Sequence, residues 1–530
     1  MKEYTNDIFA VVPVLVYAAI LASCAPDLGN YEYTELDGPR ISGIGENYEI
    51  LTMQTLEIVP VIEGGMPEDS YTYEWKVIDN NNDNAETVLA TTRDLSYEVT
   101  LAPGSYSMYY TMKENSSGII WRTGSTLTVN SSMSEGWMVL CSDAGAARLD
   151  FISEITGETY TDVLEQAREE GMPAYNGPRK IQWLSRMTDD SSPYYLLTDD
   201  GATRLGKDSF GWTEEYALVY ESGAGIALTP WSIVCSGVGK VAVSGTDAYY
   251  CEVLGVSGLY GSAVNEGFRV APVIGANVLA GSIYAAVYLL YDIDNGKFMA
   301  YCPLLDDIGG YRPLQEMDDM GEIAREQTAG KEGAEGVVES VHFDYPEGYG
   351  YVYMENTCYD PGNASMGVTY TILSDGDRRY VYGIQCGDML VYADCTYVLG
   401  KALYADISAC TDITLDSNLY AFSSLRSYMY YAVGGKVYRV DLSESPAVSE
   451  LQFELPGETI TCLKFNLYQN SSNSLKRYDL VVGSETSAGG GTLRIYEGYY
   501  SEGDFSGAVP SETYTGFATI TDATYKERIY

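Results

Sequence analysis

A strand–turn–strand pattern that recurs along most of the chain constrains its fold more than any other feature. In each copy an apolar run ends at a turn rich in Gly, Asp or Asn, and an alternating run follows, as in a β-hairpin. The seven copies are WMVLCSDAGAARLDFI, YYLLTDDGATRLGK, KVAVSGTDAYYCEV, VYLLYDIDNGKFMAY, YTILSDGDRRYVYGI, YMYYAVGGKVYRVDL and DLVVGSETSAGGGTLRIYEG. Most are spaced by roughly 45 to 60 residues, enough for about four strands per repeat. The repeat predicts an all-β fold in which residues 137–530 form a β-propeller of about seven blades.

Two stretches interrupt this repeat. TDVLEQAREEGMPAYNGPRK predicts one short helix with Asp162 as its N-cap. LLDDIGGYRPLQEMDDMGEIAREQTAGKEGAEGVVES is a long, acidic insertion in the widest gap between hairpins, and that gap alternatively holds an extra blade around GYGYVYMEN. Loops of this length in a compact fold are usually functional or mobile. Both stretches are therefore candidate binding loops, and the alternative is that they pad the outer rim.

Residues 37–130 show a different arrangement of strands. TLEIVPVIEG and YTYEWKVID predict strands, and LAPGSYSMYYTMKENSSGIIWRTGSTLTVN predicts a pair that closes an immunoglobulin-like β-sandwich. Trp75 stands mid-strand, where a sandwich places a large ring against the opposing sheet. The stretch PGSYSMYYTM…STLTV resembles the last strands of polycystic-kidney-disease (PKD) domains. SSMSEG, residues 131–136, is a polar linker to the repeat region.

The N-terminus carries an apolar run that ends at a cysteine. IFAVVPVLVYAAILA is too short to span a bilayer comfortably, and it has the size of a signal-peptide core. The sequence Leu21-Ala22-Ser23-Cys24 resembles the lipobox of bacterial lipoproteins, which implies a signal peptide at residues 1–23, lipid on Cys24 and a tether at residues 24–36. A buried helix and a cleaved signal without lipid are the alternatives, since Lys2 is opposed by Glu3 and Asp7.

Together the lipobox, the PKD-like strands, the GWMVLC…ARLDFIS junction and the hairpin repeat resemble the PKD-like family lipoproteins of Bacteroidota. The resemblance implies a lipid anchor in the outer membrane and association with import systems of the starch-utilisation type. The acidic tether, with Asp27 and Glu32, resembles the export signal of surface lipoproteins, which implies a cell-surface location. The resemblance supplies no activity for the chain itself.

The net charge of −44 makes nucleic acid an unsuitable partner, because a phosphate backbone would be repelled and no basic run offsets the charge. Tyrosine is abundant, with 49 Tyr against 11 Phe, as expected where rings pack on half-buried strand faces and hydroxyls reach water. The cysteines after Cys24 lack C-x-x-C spacing and stand in apolar runs, so we expect buried thiols. A Cys386–Cys395 disulfide across a hairpin is the alternative.

No catalytic, metal-binding or cofactor-binding residue is predicted. His342 is the only histidine, and no G-x-S-x-G motif is present. DIDNG, residues 292–296, is interpreted as a hairpin turn rather than a calcium loop. Paired carboxylates leave open a propeller-based glycan hydrolase or lyase, although adjacent aspartates are also ordinary turn residues; the pairs start at Asp189, Asp199, Asp306 and Asp318.

The predicted ligand-binding residues are aromatic and arginine side chains in the insertions and beside turns of the repeat; they are Tyr175, Arg179, Trp183, Trp212, Trp231, Tyr311 and Arg312. Core packing is the alternative for the tryptophans. These residues favour a surface-anchored binding or accessory lipoprotein that captures a glycan or peptide for uptake. The alternatives are the carboxylate-dependent enzyme and a purely structural partner of the import complex.

Overall fold

The computed structural model describes residues 38–80, 84–184, 194–207, 209–236, 239–252, 258–279, 287–303, 313–317, 348–361, 366–390, 396–411, 413, 419–467 and 474–527. These residues are mostly strand, so the all-β prediction is confirmed. They divide into two compact units, one of residues 38–100 and 105–128, the other of residues 101–104 and 129 onward. Within the described part of the chain no helix has the length and apolar character needed to cross a bilayer. The predicted signal peptide and tether lie outside the described residues.

The first unit contains a five-stranded sheet and two strand pairs. Its strands are β1 (Arg40–Ser42), β2 (Asn47–Leu51), β3 (Thr55–Ile58), β4 (Val61–Glu63), β5 (Tyr71–Asp79), β6 (Ala85–Ala90), β7 (Leu95–Glu98), β8 (Gly104–Glu114) and β9 (Ile120–Asn130). The large sheet has the order β2-β9-β8-β5-β6, while β1 pairs with β4 and β3 with β7. A single turn of 3-10 helix, Glu68–Ser70, precedes β5.

Trp75 lies at the centre of this unit's core. It is fully buried mid-way along β5, as its place in the sequence predicts. Its indole nitrogen donates to the backbone oxygen of Arg93 (3.2 Å), and its ring centroid lies 4.5 Å from that of Tyr110 on the neighbouring strand β8. Buried and less buried residues alternate along β8, so one face of the sheet supplies the core.

The second unit is a succession of antiparallel sheets. Its strands are β10 (Gly136–Asp143), β11 (Ala146–Ser153), β12 (Thr159–Tyr160), β13 (Pro178–Trp183), β14 (Tyr194–Thr198), β15 (Ala202–Leu205), β16 (Pro230–Ser236), β17 (Gly239–Ser244), β18 (Asp247–Glu252), β19 (Gly275–Ala276), β20 (Tyr288–Asp292), β21 (Lys297–Tyr301), β22 (Leu314–Glu316), β23 (Gly350–Asn356), β24 (Val368–Ser374), β25 (Arg379–Leu390), β26 (Thr396–Asp406), β27 (Tyr420–Phe422), β28 (Tyr428–Val433), β29 (Lys436–Asp441), β30 (Ser449–Glu454), β31 (Glu458–Phe465), β32 (Leu480–Thr486), β33 (Gly491–Tyr496), β34 (Glu512–Phe517) and β35 (Thr519–Lys526). The short helices are α1 (Leu164–Glu169) and 3-10 turns at Glu214–Tyr216, Leu218–Glu221 and Ser474–Tyr478.

These strands form seven sheets within the described residues. The first has the order β12-β11-β10-β35, and the others follow the chain as β13–β15, β16–β18, β19–β22, β23–β26, β27–β30 and β31–β34. Each of the seven predicted hairpins is present and supplies two neighbouring strands of one sheet. The stretch GYGYVYMEN contains β23, the first strand of the fifth sheet, so it is not an extra sheet.

The central strands are buried on both faces because their side chains alternate between two neighbouring sheets. In β14, Tyr194 and Leu196 pack against the first sheet, while Tyr195 and Leu197 pack against the third. This two-sided burial explains why the second strand of a sheet has a continuous apolar run instead of an alternating one.

Hydrophobic clusters join every sheet to the next in the chain. Separate buried clusters join the first sheet to the second, the second to the third, and so on to the sixth and seventh. One further cluster joins the seventh sheet to the first and contains Val481 and Leu493 of the seventh and Trp137 and Ile520 of the first. The order of shared clusters therefore returns to its starting sheet.

The last strand of the chain completes the first sheet. β35 pairs with β10 in antiparallel register from Gly136↔Lys526 to Ser142↔Thr519, and β10 pairs on its other edge with β11. The first sheet thus combines the two ends of the second unit, and both edges of β10 are hydrogen-bonded.

Many tyrosine side chains are fully buried, whereas the sequence predicts that their hydroxyls reach water. Tyr288 is fully buried, and its hydroxyl donates to the backbone oxygens of Ser236 and Gly239 in the third sheet, at 2.8 Å each. The Tyr291 hydroxyl donates to the backbone oxygen of Tyr349 at 2.6 Å. Tyrosine is used here because its ring fills the space between sheets and its hydroxyl satisfies a backbone carbonyl of the neighbouring sheet.

The predicted short helix is present as α1, but the prediction of its N-cap is wrong. Val163 occupies the N-cap position, and no side chain caps the helix. Asp162 has a positive φ of 50° and its carboxylate instead pairs with Arg168, at 2.5 Å. The chain turns sharply before the helix, which directs the aspartate to the helix side chain rather than to the free N–H groups.

We expect Ile520→Ala to lower the free energy of unfolding of the second unit by about 2–4 kcal/mol, because it leaves a cavity between the first and seventh sheets. Ile520 is fully buried on β35. Val509→Ala is the control, since Val509 is 83% exposed, and its effect should stay below about 0.5 kcal/mol. Chemical denaturation measures both, and equal effects would contradict a stabilising role for the β35 contact.

Candidate functional site

A cavity of about 620 Å³ lies where the seven sheets of the second unit meet. Its wall consists of residues from β13, β16, β23, β27, β31 and β35 and from the segment around β19. Each sheet therefore contributes one strand, which is its first strand in the chain except in the first sheet. The volume lies within the usual range for small-molecule sites.

Five of these wall strands contain a register shift. The residues that stand unpaired at the shifts are Arg179 in β13, Trp231 in β16, Val352 in β23, Thr461 in β31 and Thr521 in β35. An extra residue in one strand bends that strand and redirects side chains, and such bulges are common beside functional sites.

Side chains on the wall hydrogen-bond to the backbone of the neighbouring wall strand. Gln182 receives the N–H of Ile233 (2.9 Å) and donates to its backbone oxygen (3.0 Å). Asn356 binds the strand around β19 in the same way. Asp522 accepts from the backbone N–H of Ile181 at 3.0 Å. These contacts join adjacent sheets and fix the outline of the cavity.

Lys464 and Asp522 form an ion pair on the wall. The ammonium of Lys464 lies 2.7 Å from Oδ1 of Asp522 and also donates to Thr524, at 3.3 Å. Burial opposes the charged form of Lys464, but Asp522 outweighs it and raises the pKa of the lysine above its ordinary value. The pair therefore contributes no net charge to the cavity.

Glu355 and Lys180 also line the cavity, and burial shifts the pKa of each toward its neutral form. Burial raises the pKa of Glu355 to about 7. The backbone N–H of Phe422, which donates to the Glu355 carboxylate at 3.1 Å, acts to lower this pKa, but burial has the larger effect. Burial lowers the pKa of Lys180, and Asp522 opposes this shift. Glu355 thus titrates near neutral pH inside the cavity.

Several donors on the wall have no partner in the described part of the chain. The indole nitrogen of Trp183, the hydroxyl of Thr461 and the amide nitrogen of Asn466 are buried and make no hydrogen bond to any described residue. No hydrogen bond or ion pair to Lys180 is found among those residues either. The three donor atoms are thus buried beside the cavity, whereas Lys180 is half-buried on its wall.

The structure brings three of the predicted ligand-binding residues together. Arg179 and Trp183 line the cavity, and Trp231, 43% exposed, lies beside Arg179 with its ring centroid 3.6 Å from the guanidinium carbon. The Trp183 ring also packs against the core between the first and second sheets and stacks on Tyr194, as the core-packing alternative predicts. Arg179 is also held by Asp199 at 2.7 Å and by the backbone oxygen of Thr229 at 3.1 Å. A fixed guanidinium stacked on an exposed indole is therefore present at this part of the wall.

The other predicted residues lie elsewhere. Trp212 is 9% exposed in the core between the first and second sheets, where its indole nitrogen donates to Thr203 at 2.8 Å, the placement that core packing predicts. Tyr175 packs, partly buried, against the same core. Cys24, Tyr311 and Arg312 lie outside the described residues.

Asp199 and Asp200 serve separate structural contacts. Asp199 binds Arg179, whereas Asp200 accepts from the backbone and side-chain nitrogens of Asn176, at 2.9 and 2.8 Å. A Cβ at Gly177, whose φ is +62°, would lie 2.1 Å from the Asp199 carboxylate, so glycine is required there. The other paired carboxylates, and His342, lie outside the described residues.

The DIDNG segment forms a hairpin turn, as predicted, because Asp292 accepts the backbone N–H groups of Asp294 and Asn295. Among the described residues, no group of three or more His, Cys, Asp or Glu side chains is suited to a metal ion.

The described cysteines are free thiols. Seven of the eight are buried, as predicted, and Cys395 lies outside the described residues.

Sequence reasoning missed the charged residues of the cavity, which are Lys180, Glu355, Lys464 and Asp522. Each stands inside or at the end of an apolar strand, in RKIQW, YVYMEN, TCLKFN and ITDATYK. The available signal was a charged residue within or at the end of a strand: one charge in YVYMEN and in TCLKFN, and two in RKIQW and in ITDATYK. The convergence of the four residues depends on the order in which the sheets pack, which the pattern of one strand does not encode.

Residues 24–176 match the model of the PKD-like family. No curated protein matches the chain. Among solved structures, a quinonprotein alcohol dehydrogenase-like protein of Bacteroides thetaiotaomicron is 13% identical, with a TM-score of 0.43 over 92% of this chain and 99% of that one. A DUF4784 family protein of Bacteroides caccae is 9% identical, with a TM-score of 0.28 over 92% of this chain and 98% of that one. The PKD domain of human KIAA0319 is 22% identical, with a TM-score of 0.15 over 18% of this chain and 82% of that one.

The N-terminal part of the chain is thus similar to the PKD-like family. The matched range covers the first unit and continues into the second as far as Asn176, beyond α1. Similarities to solved structures at these identities and TM-scores carry no conclusion about activity.

We expect Glu355→Gln to make the protein less sensitive to rising pH. The pKa of Glu355 is about 7 in the folded protein against 4.5 ordinarily, so the unfolded state binds fewer protons between these values and wild-type stability falls as pH rises through them. Glutamine mimics the protonated form. From about pH 5 to about pH 8, the variant should gain up to about 3 kcal/mol relative to wild type.

Thermal or urea unfolding of both proteins at each pH measures this difference. Stability measured at a single pH does not isolate the titration of Glu355, because the amide of Glu355→Gln also changes the hydrogen bond to Phe422. A constant difference between the two proteins across the pH range would contradict a buried, neutral Glu355.

Proposed function

We propose that this chain is a surface-anchored binding or accessory lipoprotein of a glycan or peptide uptake system, with a seven-bladed β-propeller as its ligand-binding unit. The observation that carries the binding role is the cavity of about 620 Å³, on whose wall the ammonium of Lys180 has no hydrogen bond or ion pair to a described residue. A cavity of this volume with mixed apolar and charged lining has the composition of a small-molecule site.

Two observations support the propeller. Hydrophobic clusters join each sheet to the next and the seventh sheet to the first. The pairing of β10 with β35 places the two ends of the second unit in one sheet. A closed ring of sheets leaves an axial cavity lined by one strand from each sheet, which is the composition of the cavity wall.

The lipid anchor is supported by the sequence around Cys24. The apolar run, the small residues Ala22 and Ser23, and the acidic tether agree with a processed outer-membrane lipoprotein that faces the cell surface beside an import complex. The range similar to the PKD-like family starts at residue 24, where the proposed mature protein would start.

A second candidate function is a carboxylate-dependent glycan hydrolase or lyase. The cavity contains Glu355, whose pKa of about 7 suits a general acid, and Asp522, which the Lys464 ammonium contacts at 2.7 Å. Two carboxyl groups in contrasting environments are the usual basis for dividing acid and base roles.

We expect Cys24→Ala to release the protein from the membrane fraction, because the acyl chains that anchor it can no longer be attached. Fractionation and surface proteolysis of cells that express either protein measure the change. Retention of the variant in the membrane would refute the lipid anchor, and protection of the wild-type protein from added protease would refute surface exposure.

We expect Trp231→Ala to weaken binding of a glycan or peptide ligand about tenfold, a loss of about 1.4 kcal/mol, because it removes the exposed ring stacked on Arg179. A panel of oligosaccharides and peptides identifies the ligand by calorimetry. Trp231→Phe should restore part of the affinity, and Tyr220→Ala, which removes another exposed aromatic ring, should leave it unchanged.

Product analysis of each ligand bound in this panel separates the two candidate functions. Intact ligand supports the binding role. Cleavage that disappears in Glu355→Gln would instead establish the carboxylate-dependent enzyme. Absence of binding to every member of the panel, or full affinity in Trp231→Ala, would overturn the role assigned to this surface.

A further inference from the structure

We propose that the cavity binds an organic monocarboxylate, whose carboxylate group contacts the ammonium of Lys180 on the wall. This inference names the ligand class of the cavity and rests on the proposed binding function. It requires neither the lipid anchor nor the uptake system.

Lys180 differs from three other lysines of the second unit because its ammonium has no hydrogen bond or ion pair to a described residue. Those lysines show the ordinary ways of satisfying an ammonium within a fold. Lys464 pairs with Asp522, Lys240 pairs with Glu221 and binds Tyr195 at 2.9 Å, and Lys526 donates to the backbone oxygen of Lys207 and lies 4.5 Å from the ring centroid of Phe210. Lys180 is half-buried on the cavity wall, where Asp522 and Glu355 favour its charged form without contacting it, so its ammonium is available to an anionic ligand.

The charges on the wall favour an anion of single charge. Lys464 and Asp522 neutralise each other, and Arg179 is paired with Asp199, so Lys180 is the remaining cation on the described wall. A doubly charged phosphate would leave one negative charge uncompensated beside Glu355. A carboxylate matches the single ammonium.

Glu355 makes the affinity depend on pH. Above its pKa of about 7 the ionised side chain repels a bound carboxylate, and below it the protonated side chain can donate to one. The titratable groups around it on the wall are Tyr353, Tyr420, Cys462, Lys464, Lys180 and Asp522. Protonation of Lys180, whose pKa burial lowers, acts in the same direction. Binding should therefore strengthen as pH falls.

The rest of the wall suits the body of an organic acid. Ile181, Ile233, Val273, Met354 and Leu463 supply apolar surface between the polar groups. The volume of about 620 Å³ far exceeds that of an inorganic anion. The shared chemistry is a carboxylate on an organic body, which uronic acids and the C-termini of peptides both provide.

Calorimetry on the purified full-length protein tests this inference with matched pairs of ligands. Glucuronate is compared with glucose, and N-acetyl-alanyl-alanine with its C-terminal amide, so each pair differs in the carboxylate. We expect at least one acid to bind at least tenfold more tightly than its neutral counterpart, with tighter binding at about pH 6 than at about pH 8. The acid that binds identifies whether the source is a sugar or a peptide.

Lys180→Met provides the decisive variant. We expect it to lose at least tenfold in affinity for that acid while its thermal midpoint stays equal or rises, because the ammonium makes no hydrogen bond or ion pair to a described residue and burial opposes its charge. If Lys180→Met folds poorly, Lys180→Gln is measured in its place, with the same loss of affinity expected. Lys113→Met, which removes an exposed lysine of the first unit, is the control and should bind as wild type.

Three results would overturn the inference: failure of both acids to bind the wild-type protein at millimolar concentration, equal binding of acid and neutral counterpart, or unchanged acid binding in Lys180→Met and Lys180→Gln. These results are separable from failure of the proposed function. The release of Cys24→Ala from the membrane and the binding of the ligand panel to Trp231→Ala test that function, and neither experiment depends on Lys180.

Discussion

The pairing of β10 with β35 is the contact on which the organisation of the second unit depends. It brings the last strand of the chain into the first sheet, with Trp137 opposite Tyr525. β35 supplies Asp522, which accepts the backbone N–H of Ile181 from the second sheet and pairs with Lys464 of the seventh. One strand therefore connects three sheets, and without it both the ion pair of the cavity and the cluster between the seventh and first sheets would be lost.

The space between sheets is filled by aromatic rings whose polar ends bind the next sheet. Tyr288 and Tyr291 lie three residues apart on β20 and point to opposite sides, and their hydroxyls satisfy backbone oxygens of the third sheet and of the segment before β23. Phenylalanine could fill the same space but would leave those carbonyls without this donor. The excess of tyrosine is thus a consequence of packing many two-sided sheets against each other.

The cavity combines compensated and uncompensated charge within one wall. The Lys464–Asp522 pair and the side-chain bonds of Gln182 and Asn356 stabilise contacts between sheets. Lys180, by contrast, weakens the fold, since burial shifts its pKa toward the neutral form. Charged groups with perturbed pKa values inside a cavity are typical of binding sites, where a ligand supplies what the protein lacks.

Local patterns in the sequence were sufficient for the strands and turns. Hairpin composition predicted the seven hairpins and the DIDNG turn, because a turn depends on residues close in the chain. The places of Trp75 and of the cysteines within apolar strands predicted the burial of Trp75 and of seven of the eight described thiols. Sequence alone failed for the N-cap at Asp162, where a sharp turn redirected the carboxylate to Arg168.

Only the tertiary structure brought the cavity residues together. Lys180, Glu355, Lys464 and Asp522 belong to four different strands, and nothing in the sequence of one strand indicates the other three. Their proximity follows from the order in which the sheets pack and from bulges that redirect single side chains, such as that of Thr461. Arg179 and Trp231 were recognised by residue type, but their stacking depends on bulges in two neighbouring strands. The period of a strand specifies which face a side chain occupies, whereas long-range packing decides what that face meets.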